Sequence, residues 1–353
     1  MSGFGLNSEI RMPEWAEPWE ITLQEGTNRG TLSDNILINS TNLGYDIHYK
    51  VYTPYGYDNL DNLPVVYVTD GHEYADDEMG SMVIVLDNLI HQNLTDPVMA
   101  VFIDPREPGN PSNNRRAEQY LNNPLFANFV ADELVPEIDA NYKTSANPQE
   151  RAIMGTSYGG NCAAYFGAYK PDVFKLLIIH SPAFQQGTFN LYADSEAYPL
   201  NKIYMSTGLI CDTENLASQM KTIFNEKDYA YQYAEVNQGH SWGNWRGLID
   251  EPLMYFFTTG MDTEHHSMEK QTAIDVYPNP AGKTINIHLK KDNNSIDKIN
   301  LIDVTGKVVK SFNQDLSVKQ SLHIGYLKNG VYFLEIISCN IRFCKTIIIH
   351  KSF

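Results

Sequence analysis

The stretch RAIMGTSYGGNCAAYFGAYKP, residues 151–171, places a serine between two glycines directly after a short apolar run. The run AIM has the composition of a buried strand, and the residues from Tyr158 onward have that of a helix. A strand, a tight turn and a helix in this order hold a serine in a strained conformation with its hydroxyl exposed, and flanking glycines let the turn close. The five-residue pattern alone arises by chance in about one chain in ten of this length. Its setting, however, predicts that Ser157 is a nucleophile and not part of a flexible glycine-rich loop.

The same order of strand and helix repeats on both sides of this stretch. Short apolar runs that end at Asp, Gly or Pro alternate with segments of helix length. Strands are predicted at residues 63–71, 96–105, 151–155, 174–182, 201–208 and 230–236, and helices at residues 78–92, 124–142, 158–170, 213–226 and 244–258. Residues 29–52 alternate polar and apolar side chains, as antiparallel strands do. The pattern predicts an α/β fold with a mostly parallel sheet and helices on both of its faces.

The pattern changes after residue 259. Residues 260–272 are polar and lack apolar periodicity, which predicts a linker; for its His265 and His266 a solvated linker is favoured over a metal site. Residues 273–353 form short alternating runs separated by Pro-Asn-Pro, Thr-Gly and Asn-Gly turns. They predict a small all-β sandwich that follows the α/β domain of residues 1–259.

Charge is distributed unevenly along the 353 residues, whose formal net charge is -17. Residues 271–353 carry 11 Lys and Arg against 6 Asp and Glu, so the acidic excess lies entirely in residues 1–270. An acidic main part argues against a nucleic-acid partner. No apolar run is long enough to predict a transmembrane helix.

Two further features bear on the compartment. The four cysteines are too few for a disulfide scaffold; buried free thiols are favoured, with a bridge between Cys339 and Cys344 as the alternative. The first twenty residues lack the basic and apolar regions of a signal peptide, so none is predicted in this sequence.

A serine nucleophile needs a base and an acid. His240 lies in the loop QGHSWGNW between a predicted strand and the last helix, and it is the favoured base, with His180 as the alternative. Asp212 follows the strand that ends at residue 208 and is the favoured acid, although it is equally suited to cap the next helix. Glu214 is the alternative acid.

The remaining parts of the site are an oxyanion hole and the groups that contact a substrate. The backbone N–H groups of Tyr158, just after the nucleophile, and of His72, in the loop after VVYVTDG, are expected to form the oxyanion hole. Four side chains are candidates for substrate contacts: Trp242, Trp245, Tyr120 and Arg115. Core packing of Trp245 and a structural pair of Arg115 with Glu118 are the alternatives.

Several motifs together resemble a known family. LPVVYVTDGHEY, AVFIDPREP, NRRAEQYLNNPLFANFVADELVPEIDANY, the stretch from RAIMG to SPAF, and QGHSWGNWRGLI are similar to the branch of the α/β hydrolases that includes enterochelin esterases, feruloyl and acetylxylan esterases and mycolyltransferases. The resemblance covers about residues 28–258. It implies an α/β-hydrolase fold, a triad of Ser157, Asp212 and His240, an oxyanion position at His72, and no metal or organic cofactor. Thr156 and Tyr158 depart from the smaller residues or methionine common beside the nucleophile, which leaves the shape of the pocket open.

The C-terminal part resembles a different family. VYPNPAGKTINIHL, IDVTGKVV and LKNGVYFLEI are similar to the C-terminal sorting domain of the type IX secretion system of Bacteroidetes. This resemblance implies the secretion machinery as a partner and a location at the cell surface or in the medium; a carbohydrate-binding sandwich is the alternative. A trimmed N-terminus would explain why no signal peptide is seen.

These inferences predict an exported serine carboxylic-ester hydrolase that acts on acyl esters of polysaccharides, feruloyl or acetyl. A siderophore-ester hydrolase and an acyltransferase would use the same residues. A surface binding protein on a hydrolase fold is the alternative of a different class, and the three side chains of the predicted triad would then not need to meet in space.

Overall fold

The computed structural model describes residues 17–258, 274–278, 281–289, 298–303, 307–312, 319–338, 341–349 and 351. These residues belong to two compact units, one within Ala16–Met261 and one within Asp262–Phe353. The predicted linker, with His265 and His266, and the exact domain boundaries lie outside the described residues and stay predictions. The same is true of the bridge between Cys339 and Cys344. Cys162 and Cys211 are free thiols; Cys162 is buried as predicted, whereas Cys211 is exposed, so the prediction of a buried thiol is wrong for Cys211.

The first unit is built on one nine-stranded sheet. Its strands and a separate two-stranded hairpin are β1 (Thr31–Leu32), β2 (Ile36–Ser40), β3 (Tyr45–Thr53), β4 (Val65–Val68), β5 (Met99–Asp104), β6 (Arg106–Glu107), β7 (Asn110–Asn114), β8 (Arg151–Thr156), β9 (Leu176–His180), β10 (Lys202–Gly208) and β11 (Tyr231–Val236). The order across the sheet is β1-β3-β5-β4-β8-β9-β10-β11, with β2 beside β3 and the hairpin formed by β6 and β7. All neighbours from β5 to β11 are parallel, and β1, β2 and β5 run antiparallel to β3.

Helices fill the connections between the parallel strands. They are α1 (Gly71–Tyr74), α2 (Met82–His91), α3 (Arg116–Tyr120), α4 (Pro124–Asn128), α5 (Val135–Asn141), α6 (Tyr158–Tyr169), α7 (Gln186–Asp194), α8 (Glu214–Glu226), α9 (Trp242–Trp245) and α10 (Asp250–Phe257). Every residue of β4, β5, β8 and β9 is buried, as expected for strands that are covered on both faces. The predicted α/β architecture is confirmed. No helix in the described part of the chain is long and apolar enough to cross a membrane.

Two predicted helices are interrupted. A π-helical segment, Phe129–Leu134, separates α4 from α5, and Pro136 follows it at the start of α5. Proline lacks the N–H that a continuous α-helix would use, so the pattern of residues 124–142 does not form one straight helix. In the predicted helix 244–258 the last turn of α9 and a 3-10 turn that contains Gly247 precede α10.

The second unit contains two antiparallel sheets. One holds β12 (Ile274–Tyr277), β13 (Thr284–Leu289) and β16 (Lys319–His323), and the other holds β14 (Lys298–Asp303), β15 (Val308–Phe312), β17 (Gly330–Ser338) and β18 (Ile341–Ile349). Alternate apolar side chains from both sheets, among them Ile285, Leu322, Leu301 and Leu334, pack into one buried cluster. The predicted small all-β domain is therefore confirmed.

Candidate active site

Ser157 lies at a sharp turn between β8 and α6. Its backbone has φ 58° and ψ -115°, a conformation that costs strain for any residue other than glycine. The turn is tight because the chain returns on itself: a Cβ atom added to Gly155 would lie 2.3 Å from the backbone carbon and oxygen of Gly159. The two glycines that drew attention in the sequence therefore allow this close approach.

The side chains of Ser157, His240 and Asp212 meet in space, although up to 83 residues separate them in the chain. Nε2 of His240 lies 3.0 Å from Oγ of Ser157, and its Nδ1 lies 2.6 Å from Oδ1 of Asp212. A carboxylate only accepts hydrogen bonds, so the imidazole proton belongs on Nδ1. In a neutral ring Nε2 is then the acceptor for the hydroxyl proton of Ser157.

The meeting follows from the sheet topology. Ser157 follows β8 and Asp212 follows β10, while His240 follows β11, and these parallel strands end at the same edge of the sheet. Ligands of open α/β sheets bind at this edge, beyond the carboxyl ends of the strands. Five consecutive strands, from β4 to β11 across the sheet, carry residues of this site.

Asp212 is surrounded by hydrogen-bond donors. Its Oδ1 accepts from the backbone N–H of Thr213 at 2.8 Å, and its Oδ2 accepts from the hydroxyl of Ser181 and the N–H of Gly208, each at 2.6 Å. The side chain is fully buried. Burial raises the pKa of Asp212, but the hydrogen bonds from His240, Ser181 and Gly208 outweigh it and lower the pKa below the ordinary value. The carboxylate therefore stays ionised beside the imidazole.

The backbone N–H groups of Tyr158 and His72, which are expected to form the oxyanion hole, both lie in the first turn of a helix. Tyr158 is the first residue of α6 and His72 is the second residue of α1, so neither N–H has an acceptor within its own helix. Arg116 joins the two loops that carry them: its Nε donates to Oδ1 of the buried Asp70 at 2.7 Å, and its Nη2 donates to the carbonyl oxygen of Thr156 at 3.0 Å. This ion pair fixes the end of β4 relative to the end of β8.

The alternative base and acid have other surroundings. The ring of His180 is fully buried and its Nδ1 lies 2.7 Å from Oγ of Ser206, while burial lowers its pKa to about 3. No hydrogen bond or ion pair in the described part of the chain joins Glu214 to His240. Within residues 17–258 and the described strands of the second unit, no three His, Cys, Asp or Glu side chains form a group that could hold a metal ion.

Comparison with protein families decides the class. Residues 40–256 match the family described as "Putative esterase". The chain belongs to this esterase family. As a member, the esterase is a carboxylic-ester hydrolase. Residues 275–350 match the secretion system C-terminal sorting domain, which indicates a secreted or cell-surface protein and the type IX secretion machinery as a partner.

Two curated relatives of the esterase come from bacteria. The uncharacterized protein YjcH of Bacillus subtilis is 22% identical over 225 residues, which cover 61% of this chain and 92% of that protein. The endo-1,4-beta-xylanase/feruloyl esterase of Xylanibacter ruminicola is 30% identical over 136 residues, or 35% of this chain and 18% of that protein. The esterase thus spans nearly all of the first relative and less than a fifth of the second.

Solved structures share the fold. The enterobactin esterase of Shigella flexneri superposes with a TM-score of 0.57 at 20% identity, over 63% of this chain and 58% of that one. The feruloyl esterase module of Clostridium thermocellum, in complex with sinapinate, gives a TM-score of 0.55 at 17% identity, over 75% of this chain and all of that one. At this identity the likeness shows the α/β fold of the esterase unit.

The four side chains predicted to contact substrate differ in their surroundings. Tyr120 and Trp245 are fully buried, so a substrate would reach either of them only after other side chains moved. The hydroxyl of Tyr120 accepts the backbone N–H of Asp70 at 2.8 Å. Trp242 is 8% exposed and packs edge-on against Tyr74 at 4.8 Å between ring centroids.

Arg115 is engaged on two sides, and its ion-pair partner is not Glu118. Its Nη2 lies 3.3 Å from Oε1 of Glu107, and its guanidinium lies 4.0 Å above the ring of Tyr45. The neighbouring Arg116 is instead the arginine that lies at the turn of Ser157, where it is 5.3 Å from the ring of Tyr158. Sequence reasoning missed Arg116, Asp70 and Ser181. Their hydrogen-bond partners lie on segments that are far away in the chain, so no local pattern shows which side chains meet.

Replacement of Gly155 by alanine is expected to destabilise the esterase unit by about 3 kcal/mol, because the new Cβ overlaps Oγ1 of Thr69 and the backbone of Gly159, which cannot yield as the end of a flexible side chain can. Urea unfolding followed by tryptophan fluorescence measures this free energy, since all four tryptophans precede residue 246. Gly247→Ala is the matched control: its Cβ would meet no atom closer than 4.0 Å. Equal midpoints for the two variants would contradict the close approach at the turn.

Glu73, which follows His72 in α1, predicts a dependence of stability on pH. Burial and, to a smaller extent, the charge of Asp70 raise the pKa of Glu73 from 4.5 to about 7. Between these values the folded state binds more protons than the unfolded state, so the free energy of unfolding falls as pH rises from about 4.5 to 7. Glu73→Gln has no carboxyl group to titrate and so removes this loss. The difference in free energy of unfolding between the variant and wild type is therefore expected to rise in favour of the variant by up to about 3 kcal/mol from pH 4.5 to pH 8.

Urea unfolding at the two pH values measures the gain. Glu226→Gln, at an exposed position of α8, controls for the removal of a surface charge. If Glu73→Gln and wild type differ by the same amount at both pH values, Glu73 is not the group that takes up the proton.

Proposed function

We propose that the esterase is a serine hydrolase in which Ser157 is the nucleophile, His240 the general base and acid, and Asp212 the residue that orients the imidazole. The continuous line of hydrogen-bonding distances from Ser157 Oγ through His240 to Asp212 carries this proposal. The strained turn and the helix that begins at Tyr158 support it, because they point the hydroxyl and a positive helix end at the same place.

The proposed reaction has two halves. Oγ of Ser157 attacks the ester carbonyl carbon while its proton passes to Nε2 of His240. The carbonyl oxygen becomes negatively charged and accepts hydrogen bonds from the backbone N–H groups of Tyr158 and His72. His240 then gives the proton to the leaving alcohol oxygen, which leaves an acyl-enzyme. Water, activated by His240, attacks the acyl carbon and releases the carboxylic acid and Ser157. Asp212 stays ionised throughout and stabilises the imidazolium.

For the substrate we propose acyl esters on polysaccharides, with feruloyl or acetyl groups. The sorting domain supports this class, since an exported enzyme meets polymers outside the cell. The relative from Xylanibacter ruminicola is described as a xylanase and feruloyl esterase, and a feruloyl esterase module shares the fold. Both observations favour a plant-derived phenolic or acetyl ester.

A siderophore ester is the second candidate. The fold shared with the enterobactin esterase of Shigella flexneri supports it. The two candidates differ in the acyl group. In the siderophore candidate it is a hydroxybenzoyl-serine group within a cyclic trilactone of the enterobactin type. In the polysaccharide candidate it is a cinnamoyl or acetyl group on a sugar.

A panel of esters tests the proposal. We expect the full chain to hydrolyse p-nitrophenyl acetate and methyl ferulate, and feruloylated or acetylated xylan, faster than an enterobactin-type trilactone. A reversed order would favour the siderophore candidate. If neither wild type nor Ser157→Ala hydrolyses any ester above background, or if the two hydrolyse them equally, the proposed catalytic role of Ser157 is wrong.

A further inference from the structure

Ser181 connects Asp212 to the buried indole of Trp245. Nε1 of Trp245 lies 2.9 Å from Oγ of Ser181, and Oγ of Ser181 lies 2.6 Å from Oδ2 of Asp212. An indole nitrogen can only donate a hydrogen bond, and a serine hydroxyl has a single proton. Ser181 must therefore accept from Trp245 and donate to Asp212, so the direction of both bonds is fixed by chemistry alone.

The chain of bonds lies away from water. Ser181 and Trp245 have no exposed surface, and the side chain of Asp212 has none either. Ser181 itself is held by its backbone, whose N–H donates to the carbonyl oxygen of Ser206 at 2.7 Å, with φ 38°. Hydrogen bonds to a charged group in such dry surroundings are among the strongest in proteins.

Trp245 also contacts His240, the residue that lies next to Ser157. Its ring meets the ring of His240 edge-on, with centroids 4.9 Å apart and planes at 87°. The buried side chain of Trp245 thus contacts His240 directly with its ring and is connected to Asp212 through Ser181. Both of these residues must be aligned with Ser157. Trp245 lies at the end of the short helix α9, which begins two residues after His240.

We propose that Trp245 is a positioning residue of the esterase, and that it acts through Ser181. Its N–H fixes the hydroxyl of Ser181, which holds Oδ2 of Asp212 and leaves Oδ1 directed at Nδ1 of His240. The inference rests on the proposed triad. It gives Trp245 a role in the alignment of the acid and not in substrate contact, so its loss affects kcat and leaves KM unchanged.

The test compares three variants with wild type on p-nitrophenyl acetate: Ser181→Ala, Trp245→Phe and the double variant. Ser181→Ala removes a hydrogen bond to a charged group, and we expect kcat to fall about 10- to 100-fold with KM within about threefold of wild type. Trp245→Phe keeps an aromatic ring beside His240 but loses the N–H together with part of the indole ring, and we expect a smaller fall of about 5- to 30-fold. Because Trp245 acts through Ser181, the double variant is expected to match Ser181→Ala within about threefold.

Trp242→Phe is the matched control, because Trp242 lies on the same helix, packs against Trp245 at 5.3 Å and is not bonded to Ser181 or Asp212. It is expected to leave the effect of Ser181→Ala on kcat unchanged when the two are combined. Three outcomes would overturn the proposal: losses in the double variant that multiply, a rise in KM without a fall in kcat for Trp245→Phe, or wild-type kcat in Trp245→Phe.

Two further readouts keep the test decisive. If Trp245→Phe does not fold, the Nε1 proton of Trp245 is observed by NMR in folded Ser181→Ala: an upfield shift supports the bond to Ser181, and an unchanged resonance overturns it. Ser157→Ala separates the two proposals. Activity that survives in Ser157→Ala contradicts the proposed function, whereas an inactive Ser157→Ala together with a fully active Trp245→Phe contradicts the positioning role alone.

Discussion

Replacement of Ser157 by alanine is expected to lower kcat/KM at least about 10,000-fold on any ester that wild type hydrolyses. The physical reason is that in the proposed reaction Oγ, which lies 3.0 Å from Nε2 of His240, forms and breaks the covalent bond to the acyl carbon. The activity that remains would come from the oxyanion donors acting on a water molecule. Initial rates of p-nitrophenyl acetate hydrolysis measure the loss, with the variant used at a concentration higher than that of wild type by the expected factor.

The fold of the variant serves as the control. Ser157→Ala keeps the turn between β8 and α6 and removes one hydroxyl, so its free energy of unfolding should remain within about 1 kcal/mol of wild type. A variant that is folded and inactive supports the nucleophile. A folded variant that retains more than about a tenth of the activity contradicts it.

Replacement of Asp212 by asparagine is the second large effect, with an expected fall in kcat of about 10,000-fold. An amide has one oxygen and one NH₂ group, whereas both carboxylate oxygens of Asp212 accept hydrogen bonds. If the NH₂ group faces His240, it forces the imidazole proton onto Nε2, which then no longer accepts the proton of Ser157. If it faces Ser181 and Gly208, it opposes two donors at 2.6 Å. Neither orientation restores the aligned imidazole.

Glu214→Gln is the matched control for Asp212→Asn. It removes a carboxylate two residues away, at the start of α8. Among the described residues no hydrogen bond joins this carboxylate to His240. We expect less than a tenfold change in kcat. If the two variants lose activity equally, or if Glu214→Gln loses more, then Glu214 and not Asp212 supports the base.

The part of the fold that sequence reasoning predicted best is governed by local rules. The strand, turn and helix around Ser157 need two glycines at fixed spacing, and both are visible in the sequence. Parallel strands that are buried on both faces read as short apolar runs, which located β4, β5, β8 and β9. The order of Ser157, Asp212 and His240 along the chain could likewise be read from loops that follow strands.

The features that were missed depend on contacts between distant segments. The hairpin of β6 and β7 and the helices α3 and α7 have weak patterns of their own; the hairpin packs beside β3, and both helices pack against α6. The choice of Arg116 over Arg115 as the partner of Asp70 is decided by which guanidinium faces the end of β4. The hydrogen bond of Trp245 was hidden for the same reason: Trp245 lies five residues beyond His240, but only the folded chain brings its N–H to Ser181.

Covalent labelling with an alkyl p-nitrophenyl phosphonate tests the central claim most directly, since such esters react with an activated serine and stay attached. Trypsin releases residues 152–175 as one peptide, because Lys170 is followed by proline, and Ser157 is the only serine in it. The account predicts one phosphonyl group per chain on this peptide, activity lost in step with labelling, no label in Ser157→Ala and much slower labelling in His240→Ala. Label on a different peptide, or full activity with the label on Ser157, would contradict the account.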